Sequence, residues 1–269
     1  MRCWVNGIAE PNVSAADRGL QYGDGLFETM SVRQGRIVLL ERHLARLAVG
    51  CERLGIPAVS AAELHRELQR AAGDPDVGVV KLIVTRGSQA RGYRPGPQAL
   101  PTRIIAAFPA PDYPQAWALQ GVHVRVCALR LSEQPRLAGL KHLNRLEQVL
   151  ARQEWSERVP QEGLLLDAAG RVIGGTMSNV FAYIDGQLVT PSLERCGVAG
   201  VMREAVLALA ASRGMACRQR DLPLPELLRA GEIFLTNSLI GIWPVIGLGD
   251  RRFARGALSL DFAAEVGHL

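Results

Sequence analysis

Residues 109–114, Pro109-Ala110-Pro111-Asp112-Tyr113-Pro114, constrain the fold of this chain more than any other feature. Proline locks φ and offers no amide donor, so neither a helix nor a central strand runs through a stretch this rich in it. The stretch reads as a linker, 111–116, between an N-terminal domain of 1–110 and a C-terminal domain of 117–269. Ahead of it, Trp4-Val5-Asn6-Gly7 and the segment from Ser31 to Val38 around Gln34-Gly35 carry hairpin signals. Leu40, Leu44, Leu47, Ala48, Cys51 and Leu54 recur at helical spacing until Gly55 and Pro57 stop them. Ser60 and Glu63 form a capping box that opens a second helix over 61–72. Strands follow at 77–85 and 103–108. Beyond the linker, a strand over 122–127 precedes an irregular loop and the helical stripe Leu143-Leu146-Leu150. Short strands come at 163–167, around Val172, at 180–184 and, after the turn Asp185-Gly186, at 188–190. A helix over 202–212 follows Gly200, and strands close the pattern at 232–236 and 242–246. Strands and helices interleave on both sides of the linker, which defines an α+β, two-domain chain.

Composition narrows the functional classes. The net charge of +5 is spread along the chain without a basic tract, which argues against nucleic acid as a partner. The longest apolar runs, such as 201–211, are broken by Arg and Glu and fall short of the ~20 residues that cross a bilayer. The first residues lack the pattern of a signal peptide, so a cytoplasmic location is expected. Cys3, Cys51, Cys127, Cys196 and Cys217 are scattered, without metal spacing, and read as reduced packing residues. His43, His65, His123, His142 and His268 show no ligand spacing either, so no metal is expected. A small anionic ligand, held by a few arginines, fits this balance.

The chemistry concentrates at Gly139-Leu140-Lys141-His142-Leu143-Asn144-Arg145-Leu146-Glu147-Gln148-Val149-Leu150. Lys141 lies among apolar neighbours, and burial turns a lysine amine into a nucleophile able to form a Schiff base. The string resembles the lysine segment of the aminodeoxychorismate lyases, within the fold-type-IV group of pyridoxal phosphate enzymes that also holds branched-chain and D-amino-acid aminotransferases. Asp17-Arg18-Gly19-Leu20-Gln21-Tyr22-Gly23-Asp24-Gly25-Leu26-Phe27-Glu28-Thr29 is similar to the N-terminal signature of that group. Arg86-Gly87-Ser88 and Arg91-Gly92-Tyr93 resemble the substrate-side loop of the lyases. The lysine string is specific; the glycine-rich pieces are weak alone.

The resemblance implies a smaller N-terminal α/β domain, a larger C-terminal pseudo-barrel domain and a homodimer. It implies pyridoxal 5'-phosphate on Lys141. Arg46 would take the phosphate, a role suited to a bidentate guanidinium. Apart from the resemblance, an arginine on a helix face is ordinarily just solvated. The backbone amides of Val201 and Met202, at a helix start, would take the phosphate with it. Ser238, in Thr236-Asn237-Ser238, would complete the cup together with Asn237. Arg91 and Tyr93, with Asn144 and Arg145 behind them, are the candidates for gripping a substrate that carries two carboxylates. The implied reaction converts 4-amino-4-deoxychorismate to 4-aminobenzoate and pyruvate, a step toward folate. Two rivals share the residues: an aminotransferase of D- or branched-chain amino acids, and a non-catalytic protein that only binds the cofactor. The string from Lys141 to Leu150 favours the lyase, because Leu146 stands where branched-chain transaminases usually have a tyrosine.

One position departs from the group. In Arg171-Val172-Ile173-Gly174-Gly175-Thr176-Met177-Ser178-Asn179-Val180-Phe181, Gly174 stands where the family normally has the glutamate that pairs with the cofactor's ring nitrogen. The match from Gly174 to Phe181 is unbroken, which argues against a slip of register. Asp167, the nearest preceding acid, has no sequence warrant as a substitute. The expectation is an intact fold with a weakened or retuned electron sink.

Overall fold

In the computed structural model, which describes residues 2–9 and 12–267, the chain divides into two compact units. One is Met1–Asp112 with Leu140–Asn144; the other is Tyr113–Gly139 with Arg145–Leu269. His268 lies outside the described residues. No helix among the described residues is long and apolar enough to cross a membrane.

The first unit comprises β1 (Arg2–Val5), α1 (Arg18–Tyr22), β2 (Gly25–Arg33), β3 (Arg36–Ile37), α2 (Leu40–Leu54), α3 (Ala61–Ala72), β4 (Val79–Thr85) and β5 (Thr102–Phe108). Its strands form a five-stranded antiparallel sheet, ordered β1-β5-β4-β2-β3. Asn6-Gly7 and Gln34-Gly35 have positive φ at both positions, the geometry that closes a two-residue hairpin. Ser60 Oγ accepts from the Glu63 amide at 3.4 Å, and α3 begins there. Because side chains alternate along a strand, Leu26, Met30 and Val32 of β2 and Val80, Leu82 and Val84 of β4 meet the buried faces of α2 and α3. The alternate residues Phe27, Thr29, Ser31, Lys81 and Ile83 populate the opposite, half-buried face. The sequence reading missed most of β2, where a glutamate occupies one of the buried positions.

The second unit comprises α4 (Gln115–Gln120), β6 (Val122–Leu131), α5 (Leu146–Arg152), β7 (Glu162–Asp167), β8 (Val172–Gly175), β9 (Asn179–Ile184), β10 (Gln187–Pro191), α6 (Val201–Ser212), β11 (Cys217–Arg220), α7 (Leu224–Leu227), β12 (Glu232–Asn237), β13 (Gly241–Leu248), β14 (Arg251–Arg252) and α8 (Ala257–Val266). They build a nine-stranded sheet, ordered β11-β10-β9-β12-β13-β6-β7-β8 with β14 on β13. It is mixed: β6 runs parallel to both β13 and β7, and β10 parallel to β11. The expected stripe Leu143-Leu146-Leu150 is corrected here. Leu143 precedes the helix, Leu146 and Leu150 are 75% and 55% exposed, and α5 buries Ala151 instead. The helical period is right, but the small side of the helix faces the unit's core and the leucine side stays bare.

Candidate active site

In the first unit, residues Leu140–Asn144 run alongside β2. The Phe27 amide donates to the Lys141 carbonyl and the Leu143 amide to the Gly25 carbonyl, each at 3.0 Å. Leu140 is buried in the core, which pins the segment. Lys141 is half-buried, with Nζ 4.1 Å from the centroid of the Phe27 ring, within the range of a cation–π contact.

The next residue of β2 holds the candidate phosphate arginine. Glu28 is 1% exposed and accepts from His43 Nδ1 at 2.6 Å and Arg46 Nε at 2.8 Å. Arg46 Nη2 donates to the same carboxylate. Burial opposes ionisation of Glu28, but the hydrogen bonds from His43 and Arg46 outweigh it and hold the carboxyl below its ordinary 4.5. Arg46 is therefore an arginine oriented by a buried acid rather than a solvated one.

The segment 17–24 cradles the loop of residues 86–93. Asp17 caps α1 and accepts from Thr85 Oγ1 at 2.9 Å. Arg18, 3% exposed, donates to the carbonyls of Gly92 at 2.7 Å and Tyr93 at 3.0 Å. The Gly92 amide donates to Tyr22 Oη at 3.0 Å. Asp24 accepts from Arg18 and Arg86. Burial again opposes ionisation, and the two guanidinium groups again prevail, holding Asp24 below its ordinary value. Above this cradle Arg91 is exposed and Tyr93 is 87% exposed. Asn144 touches the cradle's end, with Nδ2 3.4 Å from the Gly23 carbonyl.

In the second unit, Val201 and Met202 open α6, whose N-cap is Gly200 and which no side chain caps. A Cβ at Gly200 would lie 2.1 Å from Asn179 Oδ1, so a larger residue there would have to displace the Asn179 side chain, whose Nδ2 holds the Val198 carbonyl. Asn237 has its amide engaged: Nδ2 donates to the Met177 carbonyl, and Oδ1 accepts from the amides of Leu239 and Ile240. It shapes the turn that displays half-exposed Ser238. Beside them, the fully buried Thr236 Oγ1 has no hydrogen-bond partner among the described residues. Arg145 is the N-cap of α5, and burial, opposed by Glu147, lowers its pKa.

Taken unit by unit, the first offers an amine suited to an aldehyde and an acid-held guanidinium suited to a phosphate, and the second offers an uncapped helix start suited to an anion. Gly174 has no side chain to offer a ring nitrogen. A Cβ there would lie 2.9 Å from the Ser178 carbonyl oxygen. Neither nearby acid replaces the missing one. Asp167 accepts from the amides of Ala169 and Arg171 and from Arg171 Nε. Glu162, 1% exposed, accepts from the amides of Gly163, Thr176 and Met177 and from the hydroxyls of Thr176 and Ser178. Both carboxylates are saturated by the turns they hold.

Sequence reasoning missed Glu28, Glu162 and Lys81. Lysine count was the available signal for the last: Lys81 and Lys141 are the only lysines in the chain. Burial pushes the thiols of Cys51, Cys127, Cys196 and Cys217 up to about 11, so they are inert as nucleophiles. No metal-binding cluster occurs among the described residues.

The chain belongs to the amino-transferase class IV family, whose model matches residues 25–248, and has the fold-type-IV architecture. The aminodeoxychorismate lyase of Vibrio harveyi is 37% identical over 246 residues, 91% of this chain and 90% of that one. The crystal structure of 4-amino-4-deoxychorismate lyase from Pseudomonas aeruginosa is 50% identical. It matches with a TM-score of 0.96, covering 99% of this chain and 98% of its own. D-alanine aminotransferase of Bacillus licheniformis is 29% identical over 253 residues, 93% of this chain and 87% of its own.

Proposed function

We propose that the protein is an aminodeoxychorismate lyase that uses pyridoxal 5'-phosphate to convert 4-amino-4-deoxychorismate to 4-aminobenzoate, a folate precursor, and pyruvate. The observation that carries this reading is Lys141, half-buried on the Phe27 ring within the lyase-like string. The 50% identity to the Pseudomonas lyase supports it.

When bound, the cofactor supplies a sink for the electrons left as a proton leaves the amine-bearing carbon. Lys141 is the residue that would hold the cofactor, and its Nζ, when free, would take that proton. Arg46, fixed by Glu28, binds the phosphate with the amides of Val201 and Met202 and the hydroxyl of Ser238. Asn237 acts through the turn that presents Ser238. Arg91 and Tyr93 bind substrate carboxylates, with Asn144 and Arg145 supporting them. Loss of the enolpyruvyl group leaves an aromatic ring, and that downhill step lets a sink without an acid at position 174 suffice. The bare leucine face of α5 supports a homodimer. Five unpaired cysteines support a cytoplasmic location.

The test is incubation of the cofactor-loaded protein with 4-amino-4-deoxychorismate. The expected result is equal amounts of pyruvate and 4-aminobenzoate. Transfer of an amino group from D-alanine or leucine to a keto acid, without pyruvate release from aminodeoxychorismate, would make it an aminotransferase. Cofactor absorbance without either turnover would make it a binding protein.

A further inference from the structure

We propose that Arg18 and Tyr22 are positioning residues that hold the loop bearing Arg91 and Tyr93 in its substrate-binding form, an inference that rests on reading those two loop residues as the groups that grip the substrate. Residues 91–98 are all exposed, so burial of apolar surface does little to order this loop. It is gripped through its backbone instead. Arg18, 3% exposed, spreads its guanidinium over two successive carbonyls, Nη1 donating to Gly92 at 2.7 Å and Nη2 to Tyr93 at 3.0 Å. Its Nε donates to Asp24, the counter-charge it shares with Arg86. Tyr22 Oη accepts from the Gly92 amide at 3.0 Å. The Tyr22 ring lies 4.8 Å from the Arg18 guanidinium carbon and 5.5 Å from the Tyr93 ring, centroid to centroid. Between these contacts Gly92 has a φ of 116°, a backbone geometry that residues with side chains seldom adopt.

The three hydrogen bonds fall on three consecutive peptide units, 91–92, 92–93 and 93–94. Each unit is planar, so the grip fixes the directions in which the Arg91 and Tyr93 side chains leave the backbone. A guanidinium taken out of water is costly unless its donors are used. Spending two of them on the carbonyls of an exposed loop recovers little buried surface in return. The arrangement suits a site in which two exposed side chains must stand in place before a ligand arrives. A loop ordered in advance loses less freedom on binding, and that difference appears as affinity. Lysine at position 18 could keep the pairing with Asp24, but it lacks the planar fork that spans two carbonyls.

The test uses the cofactor-loaded, full-length protein with Arg18→Lys, which keeps the charge, and Tyr22→Phe, which keeps both ring contacts. Loop order is read by limited trypsin digestion, as the rate of cleavage between Arg91 and Gly92 followed by mass spectrometry. Cleavage should quicken about 10-fold in Arg18→Lys and about 3-fold in Tyr22→Phe, in proportion to the hydrogen bonds each removes. KM for 4-amino-4-deoxychorismate should rise by similar factors in the same order, with kcat little changed, because the loop is then ordered only on binding. Cofactor absorbance should stay at the wild-type level in both. A looser loop with an unchanged KM, a raised KM without faster cleavage, or parallel loss of cofactor absorbance would overturn the proposal. If Arg18→Lys does not fold, Tyr22→Phe decides by the same criteria. A wild type without lyase turnover would sink the function proposed above, and affinity for 4-aminobenzoate then takes the place of KM. A wild type that binds 4-aminobenzoate no better than the variants overturns the inference.

Discussion

Glu28 in the first unit and Glu162 in the second are both 1% exposed, yet they are satisfied in opposite ways. Glu28 pairs with the guanidinium of Arg46 and with His43. Glu162 takes amide and hydroxyl donors from the turn at Thr176, Met177 and Ser178, with no cation among the described residues. A buried carboxylate that holds a guanidinium fixes the direction of a charge, which a ligand can then read. One saturated by a turn fixes backbone shape and has nothing left to offer. Gly174 brings no acid to the second unit, and the nearby Asp167 and Glu162 are both engaged by the turns they hold.

The largest effect expected is at Lys141. Lys141→Ala should fold, by circular dichroism, and lose turnover by about three orders of magnitude or more, the scale of a missing catalytic base. Full turnover in that variant would remove Lys141 from the chemistry. Next comes the pair of glutamates. Glu28→Gln leaves Arg46 without its counter-charge and should cost about 3 kcal/mol in denaturant unfolding, with weaker cofactor retention. Glu162→Gln removes no ion pair and should cost about 1–2 kcal/mol. Equal costs would erase the distinction drawn between the two sites.

A pH series sharpens the same contrast. Glu28 and Asp24 are held below their ordinary values of 4.5 and 3.8. The stability they add is therefore complete above those values and is lost as pH falls through the lowered folded-state values. Thermal midpoints should drop steeply below about pH 4, and the drop should be shallower in Glu28→Gln. An identical acid limb in that variant would contradict the charge pairing. The smallest change concerns Gly174. Gly174→Glu should raise cofactor retention, each pKa unit regained at the ring nitrogen being worth about 1.4 kcal/mol. Gly174→Ala is the control, since its Cβ meets the Ser178 carbonyl oxygen without adding an acid. Equal retention and turnover in the Glu variant and the wild type would show that the acid is dispensable here.

Much of this was legible in the sequence where local chemistry decides structure. Asn6-Gly7, Gln34-Gly35 and Asp185-Gly186 all form the tight turns that their dipeptides favour. The capping residue Ser60 and the terminating Gly55 mark real helix ends. What failed to show depends on distant partners. β2 escaped notice because Glu28 breaks its apolar alternation, and that break is legible only once His43 and Arg46 are seen beside it. The leucines of α5 have core-like spacing, but Ala151 faces the core. Glu162 looks like any strand-opening acid until the turn 176–178 closes on it. In the lysine segment, Lys141 was read from its neighbours in sequence, whereas its contact with Phe27 spans more than a hundred residues.

With only Lys81 and Lys141 to choose between, borohydride reduction of the cofactor-loaded protein followed by peptide mass spectrometry tests the central claim most directly. The expected result is a single reduced pyridoxyl phosphate adduct, on the peptide containing Lys141. An adduct on Lys81, or none on either lysine, would contradict the account.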